Sequence, residues 1–272
     1  MFSGNELKNL SHEVNEIACT SGKIIRHYFQ STYQIDIKQD QSPVTTADLE
    51  ANQHIEQQLN MLTPNIPIIS EESEDTDYQE RKGWDTFWLI DPLDGTREFI
   101  KNRPDFTVNI ALVHQQKPIL GSIYLPIADQ LYYSTQDNHA YRQDRGQTPV
   151  EIQVSRQRPA IPRICGSRYH TSKAMQRFLN AVGEHQLITR GSSIKSCLVA
   201  DGSADIYPRF GPTWEWDTAA AQCIIVQAGG HLTTLDMKSL SYNKQSLLNP
   251  SFVAFANEQH GWAEPLGATT AQ

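Results

Sequence analysis

A chain of 272 residues is long enough to bury a full core, in one large domain or two of ordinary size. Its 31 acidic against 23 basic residues leave a net charge of −8, and no stretch gathers enough Lys and Arg to track a phosphate backbone, which argues against nucleic-acid polymers as partners. Cys19, Cys165, Cys197 and Cys223 form no C-x-x-C, so reduced, mostly buried thiols are expected in place of a zinc site or redox pair. Without a basic-then-apolar leader pattern or an apolar run of membrane-spanning length, the expected location is the cytoplasm.

Leu7, Leu10, Val14, Ile17, Ile24, Ile25, Tyr28 and Phe29 recur at close to helical spacing, and predict one amphipathic helix over the first thirty residues. Tyr33, Ile35 and Ile37 alternate with polar residues as a half-buried strand does, up to Lys38 and a polar turn, 39–43. A second helix opens near Val44-Thr45-Thr46-Ala47-Asp48 and carries Leu49, Ile55, Leu59 and Leu62. Thr45 with Asp48 fits a capping box, and an acid in a first helical turn is favourable on dipole grounds alone. Ile66, Ile68 and Ile69 then alternate as a short strand that runs into Ser70-Glu71-Glu72-Ser73-Glu74-Asp75. Such a run is usually a solvated loop, but Glu71 follows an apolar strand directly, as Asp91 does further on.

Phe87, Trp88, Leu89 and Ile90 are an apolar run suited to a strand covered on both faces, and Asp91 follows with no polar transition. Pro92 should end the ladder, and Asp94-Gly95 reads as a tight turn. Two carboxylates ~4 Å apart repel by roughly 4 kcal/mol at an effective dielectric of 20, which calls for a cation, a shared proton, or side chains turned outward into water. Segments 107–113, 119–125, 131–135 and 140–142 follow as strands joined by short connections, which implies antiparallel hairpins. The first half therefore reads as an α+β layer arrangement with an antiparallel sheet.

Past Arg145-Gly146-Gln147 strands alternate with helices: 161–165, a helix around Met175, Phe178 and Leu179 stopped at Gly183, 187–189, a helix around Ile194 and Cys197 ending at Gly202, then 205–207. This α/β grammar places a domain boundary near 150, giving domains 1–150 and 151–272. Trp214-Glu215-Trp216-Asp217 starts a last long helix, with Asp217 either its N-cap or an acidic ligand at its N-terminus. The strand 252–256 closes the chain.

Taken together, Ser70-Glu71-Glu72, Asp91-Pro92-Leu93-Asp94-Gly95-Thr96, and Trp216-Asp217-Thr218-Ala219-Ala220 with Ala228-Gly229-Gly230 resemble the signature set of the inositol monophosphatase superfamily of metal-dependent, lithium-sensitive phosphatases. Thr96-Arg97-Glu98-Phe99-Ile100, Gly191-Ser192-Ser193-Ile194-Lys195 and Tyr207-Pro208-Arg209-Phe210-Gly211-Pro212-Thr213 resemble its CysQ branch, the 3′(2′),5′-bisphosphate nucleotidases. The resemblance implies a layered αβαβα sandwich and removal of the 3′-phosphate of adenosine 3′,5′-bisphosphate to give AMP, with action on PAPS, in support of sulfate assimilation. It implies two or three Mg²⁺ ions: Glu71, Asp91 and the Leu93 carbonyl as ligands of one, Asp91, Asp94 and Asp217 of a second. All are the hard oxygen donors that Mg²⁺ requires. Asp48, Thr96 and Glu71 are implied as the catalytic set. Glu71, Leu93, Asp94, Gly95, Thr96, Ser167, His170, Gly191, Lys195 and Asp217 are implied as the substrate contacts, in a cleft between the halves. The partner is a small nucleotide bisphosphate, and the location cytoplasmic or peripheral on the cytoplasmic face of the inner membrane.

Tyr169 and the Trp214-Glu215 pair depart from the branch's pattern, at positions that bear on the base and the 5′-phosphate. The nearest rival is a phosphatase of the same fold acting on inositol monophosphate or a sugar bisphosphate, against which Lys195 and the segment 167–170 speak. A metal- or nucleotide-sensing binding protein is a rival from another class, and it would have no use for the Asp48 and Thr96 pair.

Overall fold

The computed structural model describes residues 2–31, 34–37, 43–73, 76–135, 137, 139–157, 159–167, 172–257, 261–267 and 269. Helix α1 (Gly4–Tyr28) opens on a capping box between Ser3 and Glu6 and turns Leu7, Leu10, Val14, Ile17 and Ile25 inward. Strands β1 (Ile35–Ile37) and β2 (Pro43–Thr45) pair antiparallel ahead of α2 (Thr46–Leu62). Next come β3 (Ile68–Ser70), the single turn α3 (Tyr78–Arg81), β4 (Thr86–Asp94) and the short α4 (Thr96–Ile100). A meander follows: β5 (Thr107–His114), β6 (Lys117–Leu125), β7 (Gln130–Thr135), β8 (His139–Asp144) and β9 (Val150–Ile152). The second half alternates β10 (Arg163–Gly166), α5 (Lys173–Val182), β11 (Gln186–Thr189), α6 (Ile194–Ala200), β12 (Ile206–Arg209) and α7 (Glu215–Gln227), then closes with β13 (His231–Thr234), β14 (Phe252–Phe255) and α8 (Ala263–Gly267).

Two sheets result, one of seven strands ordered β3-β4-β5-β6-β7-β8-β9 and one of five ordered β11-β10-β12-β14-β13. Side chains alternate across β4, so Trp88 and Ile90 pack under α1 and α2, while Phe87 and Leu89 face the opposite core. That opposite core holds Ala219, Ala220 and Ile224 of α7 together with Tyr207 and Ala254 of the five-stranded sheet. Beyond that sheet, Ile164, Ile206 and Val253 meet Phe178 and Leu179 of α5 and Leu266 of α8. The layers therefore run αβαβα, the expected sandwich. Helix α7 is apolar around most of its girth, as a helix between two sheets must be.

Several local expectations need correction. Strand β1 is exposed along its length, with Ile35 at 45% and Ile37 at 61%, as the outer strand of a two-stranded ribbon whose burial falls on Val44 and Thr45 of β2. Pro92 does not end β4: pairing with β5 is interrupted between Asp91 and Asp94 and resumes at Asp94–Thr107, so the proline sits in an irregularity of the strand. The turn at Asp94-Gly95 is there as expected: Gly95, at φ 102°, is the left-handed entry to α4. The second sheet is mixed: β10 runs parallel to β11 and β12, but β14 is antiparallel to β12 and β13. Strands β9 and β13 had no expected counterpart. The four cysteines are free, and burial pushes the Cys165 thiol up to about 12.

Candidate active site

The β3–β4 pairing brings the first two acids together. The strands are parallel with Ser70 opposite Ile90, and the Glu71 N–H donates to the Ile90 carbonyl at 3.2 Å, so Glu71 and Asp91 emerge at the same end of neighbouring strands. Helix α7 supplies the third acid across the inner core. Glu71, Asp91 and Asp217 each offer a carboxylate oxygen, and these oxygens lie within 4.8 Å of one another. At that spacing each pair repels by roughly 3–4 kcal/mol at an effective dielectric of 20. Asp91 is 1% exposed; its Oδ1 accepts the Leu93 N–H at 3.0 Å, while its Oδ2 is buried with no hydrogen-bond partner among the described residues. Burial, then the charges of Glu71, Asp94 and Asp217, raise its carboxyl well above the usual range. The Asp217 carboxyl is pushed up to about 7, mainly by burial and then by Asp94.

Asp217 is not the N-cap of α7. Trp214 holds that position, and Asp217, three residues on, accepts the Trp214 N–H through Oδ2 at 2.7 Å. It therefore caps the helix and joins the acidic trio at once. Asp94 stands outside the trio. Its Oδ2 accepts from both the N–H and the Oγ of Ser193, each at 2.7 Å. Ser193 Oγ also accepts from Asn109 Nδ2 at 2.8 Å and lies 3.4 Å from the Asp217 carbonyl, so this hydroxyl joins β4, β5 and α7. Sequence reasoning did not single out Ser193; its one signal was a place in the 191–195 run.

Asp48 is fully buried, and it closes the capping box with Thr45 while also meeting Thr96. Its Oδ2 accepts the Thr45 N–H at 2.8 Å and the Thr45 hydroxyl at 2.5 Å, and its Oδ1 faces Thr96 Oγ1 at 3.1 Å. The Thr96 hydroxyl also lies 3.3 Å from the Leu93 carbonyl. Asp48, Thr96 and Leu93 are thus linked, with Gly95 between them in the chain.

A cavity of about 200 Å³ adjoins the trio at Asp217 and is lined by Asp94, Ser167, Gly191 and Lys195 among the expected residues, together with Arg97 and Arg209. Gly191 is required by close approach: a Cβ there would meet the Asp105 carbonyl at 2.5 Å. Lys195 is 4% exposed; its Nζ donates to the Ser192 carbonyl at 2.6 Å and the Arg190 carbonyl at 3.3 Å, and sits 5.1 Å from the centre of the Tyr207 ring. Burial pulls its pKa down to about 8. His170, Tyr169, Lys38 and Tyr33 lie outside the described residues. Of the departing pair, Glu215 points inward to the Asn243 N–H and the Lys244 N–H and Nζ, whereas Trp214 is 39% exposed and stacks on Trp216. Arg209 was quoted only inside a motif, and nothing in its spacing marks it as a site residue.

Residues 6–266 match the model of the inositol monophosphatase family. The chain is 44% identical to the 3′(2′),5′-bisphosphate nucleotidase CysQ of Salmonella typhimurium over 88% of its own length and 97% of that protein's. Among solved structures, CysQ from Bacteroides thetaiotaomicron, a bacterial member of the inositol monophosphatase family, superposes with a TM-score of 0.80 at 36% identity, covering 91% of this chain and 97% of the other. An IMPase/NADP phosphatase solved with Mg²⁺ and phosphate superposes with a TM-score of 0.81, covering 98% and 97%; at 18% identity that likeness extends to the fold.

Proposed function

We propose that this chain, which belongs to the inositol monophosphatase family, is a magnesium-dependent phosphatase that removes the 3′-phosphate of adenosine 3′,5′-bisphosphate, the activity for which its CysQ relatives are named. The observation that carries the reading is an acidic trio whose Asp217 also lines a cavity that holds Arg97, Lys195 and Arg209, so that a candidate cation site and a cationic cavity stand side by side. The trio fits magnesium. Its donors are all carboxylate oxygens, and the orphaned Asp91 Oδ2 is a buried acceptor with no hydrogen bond to lose. In this reading Glu71, Asp91 and the Leu93 carbonyl hold one ion and Asp91, Asp94 and Asp217 a second, with two or three ions in all. Bound there, magnesium supplies the charge that polarises the phosphate ester and acidifies a water.

The chain's own groups do the rest. Asp48 accepts from the Thr45 N–H, the Thr45 hydroxyl and the Thr96 hydroxyl, which fixes the direction of that last hydroxyl. With that proton directed at Asp48, the oxygen lone pairs of Thr96 are left to accept from a water and orient it toward phosphorus. Gly95 and Thr96, at the left-handed entry to α4, are the backbone donors proposed for the phosphate oxygens. The phosphate that is not cleaved needs cationic donors of its own, which a neutral inositol ring would not use. The same reading puts the protein in the cytoplasm working on a small molecule; no helix among the described residues is long and apolar enough to cross a membrane.

Turnover of adenosine 3′,5′-bisphosphate, inositol 1-phosphate and a sugar bisphosphate, with magnesium and with excess EDTA, tests the proposal. The expected result is a preference for the nucleotide, loss of turnover in EDTA, and inhibition by lithium and calcium. A preference for the inositol ester would move the chain to another branch, and full activity in EDTA would remove the metal.

A further inference from the structure

Of the three acids in the trio, Asp91 lies within β4 and Asp217 within α7, but Glu71 lies just past the end of β3, in a turn. Its N–H is fixed on the Ile90 carbonyl. The turn Ser70-Glu71-Glu72-Ser73 closes on itself weakly: the Ser73 N–H meets the Ser70 carbonyl at 3.5 Å, at the long end for a hydrogen bond. A carboxylate on so loose a turn needs support from elsewhere to keep its place against the charges of Asp91 and Asp217.

Helix α2 provides that support. Asn52 Oδ1 accepts the Ser70 hydroxyl at 2.6 Å and its Nδ2 donates to Ser73 Oγ at 3.3 Å, so one amide spans the turn from its first residue to its fourth. Ser70 Oγ in turn accepts the Glu72 N–H at 3.2 Å, and Ser73 Oγ donates to Glu56 Oε1. Asp48, Asn52 and Glu56 are spaced four apart, which places them on one face of α2. That face meets Thr96 at one level and the Glu71 turn at the next. Asn is a poor residue for a helix interior, and Asn52 is buried there beside the fully buried Ala51 and Ile55. Burying an amide is unfavourable unless its polar ends find partners, and both ends find them on the turn. A carboxylate in its place could not donate to Ser73, and would bring a further negative charge toward the trio.

Resting on the proposed function, we infer that Asn52 is a positioning residue for magnesium binding: by bracketing residues 70–73 it holds the Glu71 carboxylate within reach of Asp91 and Asp217. It acts through the turn and touches neither ion nor substrate. With Asp48 one helical turn away, α2 sets a metal ligand and the Thr96 hydroxyl in a single rigid frame.

Magnesium titrated into substrate-free wild type, Asn52→Ala and Ser73→Ala, followed by calorimetry, tests the assignment, with metal-free Tm and kcat measured on the same preparations. Asn52→Ala removes the whole bracket, and its apparent Kd for magnesium should rise about tenfold, while kcat recovers to near wild type once magnesium is saturating. Ser73→Ala removes one end, and should raise the Kd by about threefold. A lower metal-free Tm with the Kd of both variants unchanged would make Asn52 a packing residue of α2 and overturn the assignment. Should Asn52→Ala not fold, Ser73→Ala decides by itself, and a wild-type Kd there overturns the assignment as well. Failure of wild type to bind magnesium would overturn the proposed function and this inference with it, whereas binding by wild type with no loss in either variant overturns the inference alone.

Discussion

Asp217 accepts the Trp214 N–H at 2.7 Å and, with the same side chain, comes within 4.8 Å of oxygens on Glu71 and Asp91. Asn in its place keeps an acceptor for the helix and loses the charge. Asp217→Asn should therefore unfold within about 1 kcal/mol of wild type, as a preserved cap would, yet lose turnover by about a hundredfold or more if the residue is a metal ligand. Denaturant midpoints and kcat on the same preparation decide it. Near-normal turnover would leave Asp217 a cap and nothing else.

Ser193 offers a subtler test. Its hydroxyl joins Asp94, Asn109 and the Asp217 backbone, so Ser193→Ala keeps the N–H contact to Asp94 but frees the carboxylate to turn. A lost hydrogen bond to a charged group is worth roughly 1.5–3 kcal/mol. The expected result is a kcat about tenfold lower, with the dependence on magnesium shifted to higher concentration. A lower midpoint in urea with kcat and the magnesium dependence unchanged would make Ser193 a packing residue only.

The raised carboxyls set a pH dependence for metal binding. The Asp217 carboxyl moves from the ordinary 3.8 to about 7 in the folded, metal-free protein, and Asp91 is raised as well. Between those two values the folded state keeps a proton that the unfolded chain has released, so metal-free stability falls as pH rises and is lowest above about 7. Magnesium must displace the same protons. Its apparent Kd should thus rise as pH drops below about 7, by about tenfold per unit for each proton displaced, and the gain in Tm on adding magnesium should be larger at pH 8 than at pH 6. Calorimetry across this range would show a flat Kd if the carboxylates stay ionised without metal.

Glu215 carries a stability prediction. It is fully buried and accepts from the Asn243 N–H at 2.6 Å, the Lys244 N–H at 2.9 Å and Lys244 Nζ at 2.6 Å, which ties the start of α7 to the segment before β14. Glu215→Ala takes the acceptor from two backbone N–H groups and leaves Lys244 Nζ with only the Ser241 carbonyl and Asn249 Oδ1. Breaking a buried pair this way costs about 3–5 kcal/mol. Urea denaturation should show that loss, and a change under 1 kcal/mol would mean that the segment rearranges to meet water.

The acids of the site were legible because each follows a signal that is local: an apolar run ending at Ser70 or Ile90, and a helix start at Trp214. What joins them was not. The irregularity at Pro92 depends on the register of β5, which no property of residues 86–94 reveals. Alternation at Ile35 and Ile37 implied a buried face, but in the ribbon it is the partner strand, at Val44 and Thr45, that is buried. Ser193 gains its contacts from residues far away in the chain, Asp94 and Asn109. Side-chain chemistry gives a candidate list, while contacts across the inner core select from it.

Helix α7 lies between the two sheets and brings Asp217 to strand ends from the other half of the chain. A proteolytic nick between Ile152 and Arg163 would fall between the sheets in sequence without parting them in space. Separated, one fragment would show water the apolar face around Phe87 and Leu89, and the other a helix that is apolar around most of its girth. Neither piece has a soluble resting form, so the nicked protein should run as one particle. Fragment release, loss of the carboxylate trio and collapse of both sheets should then occur at a single midpoint.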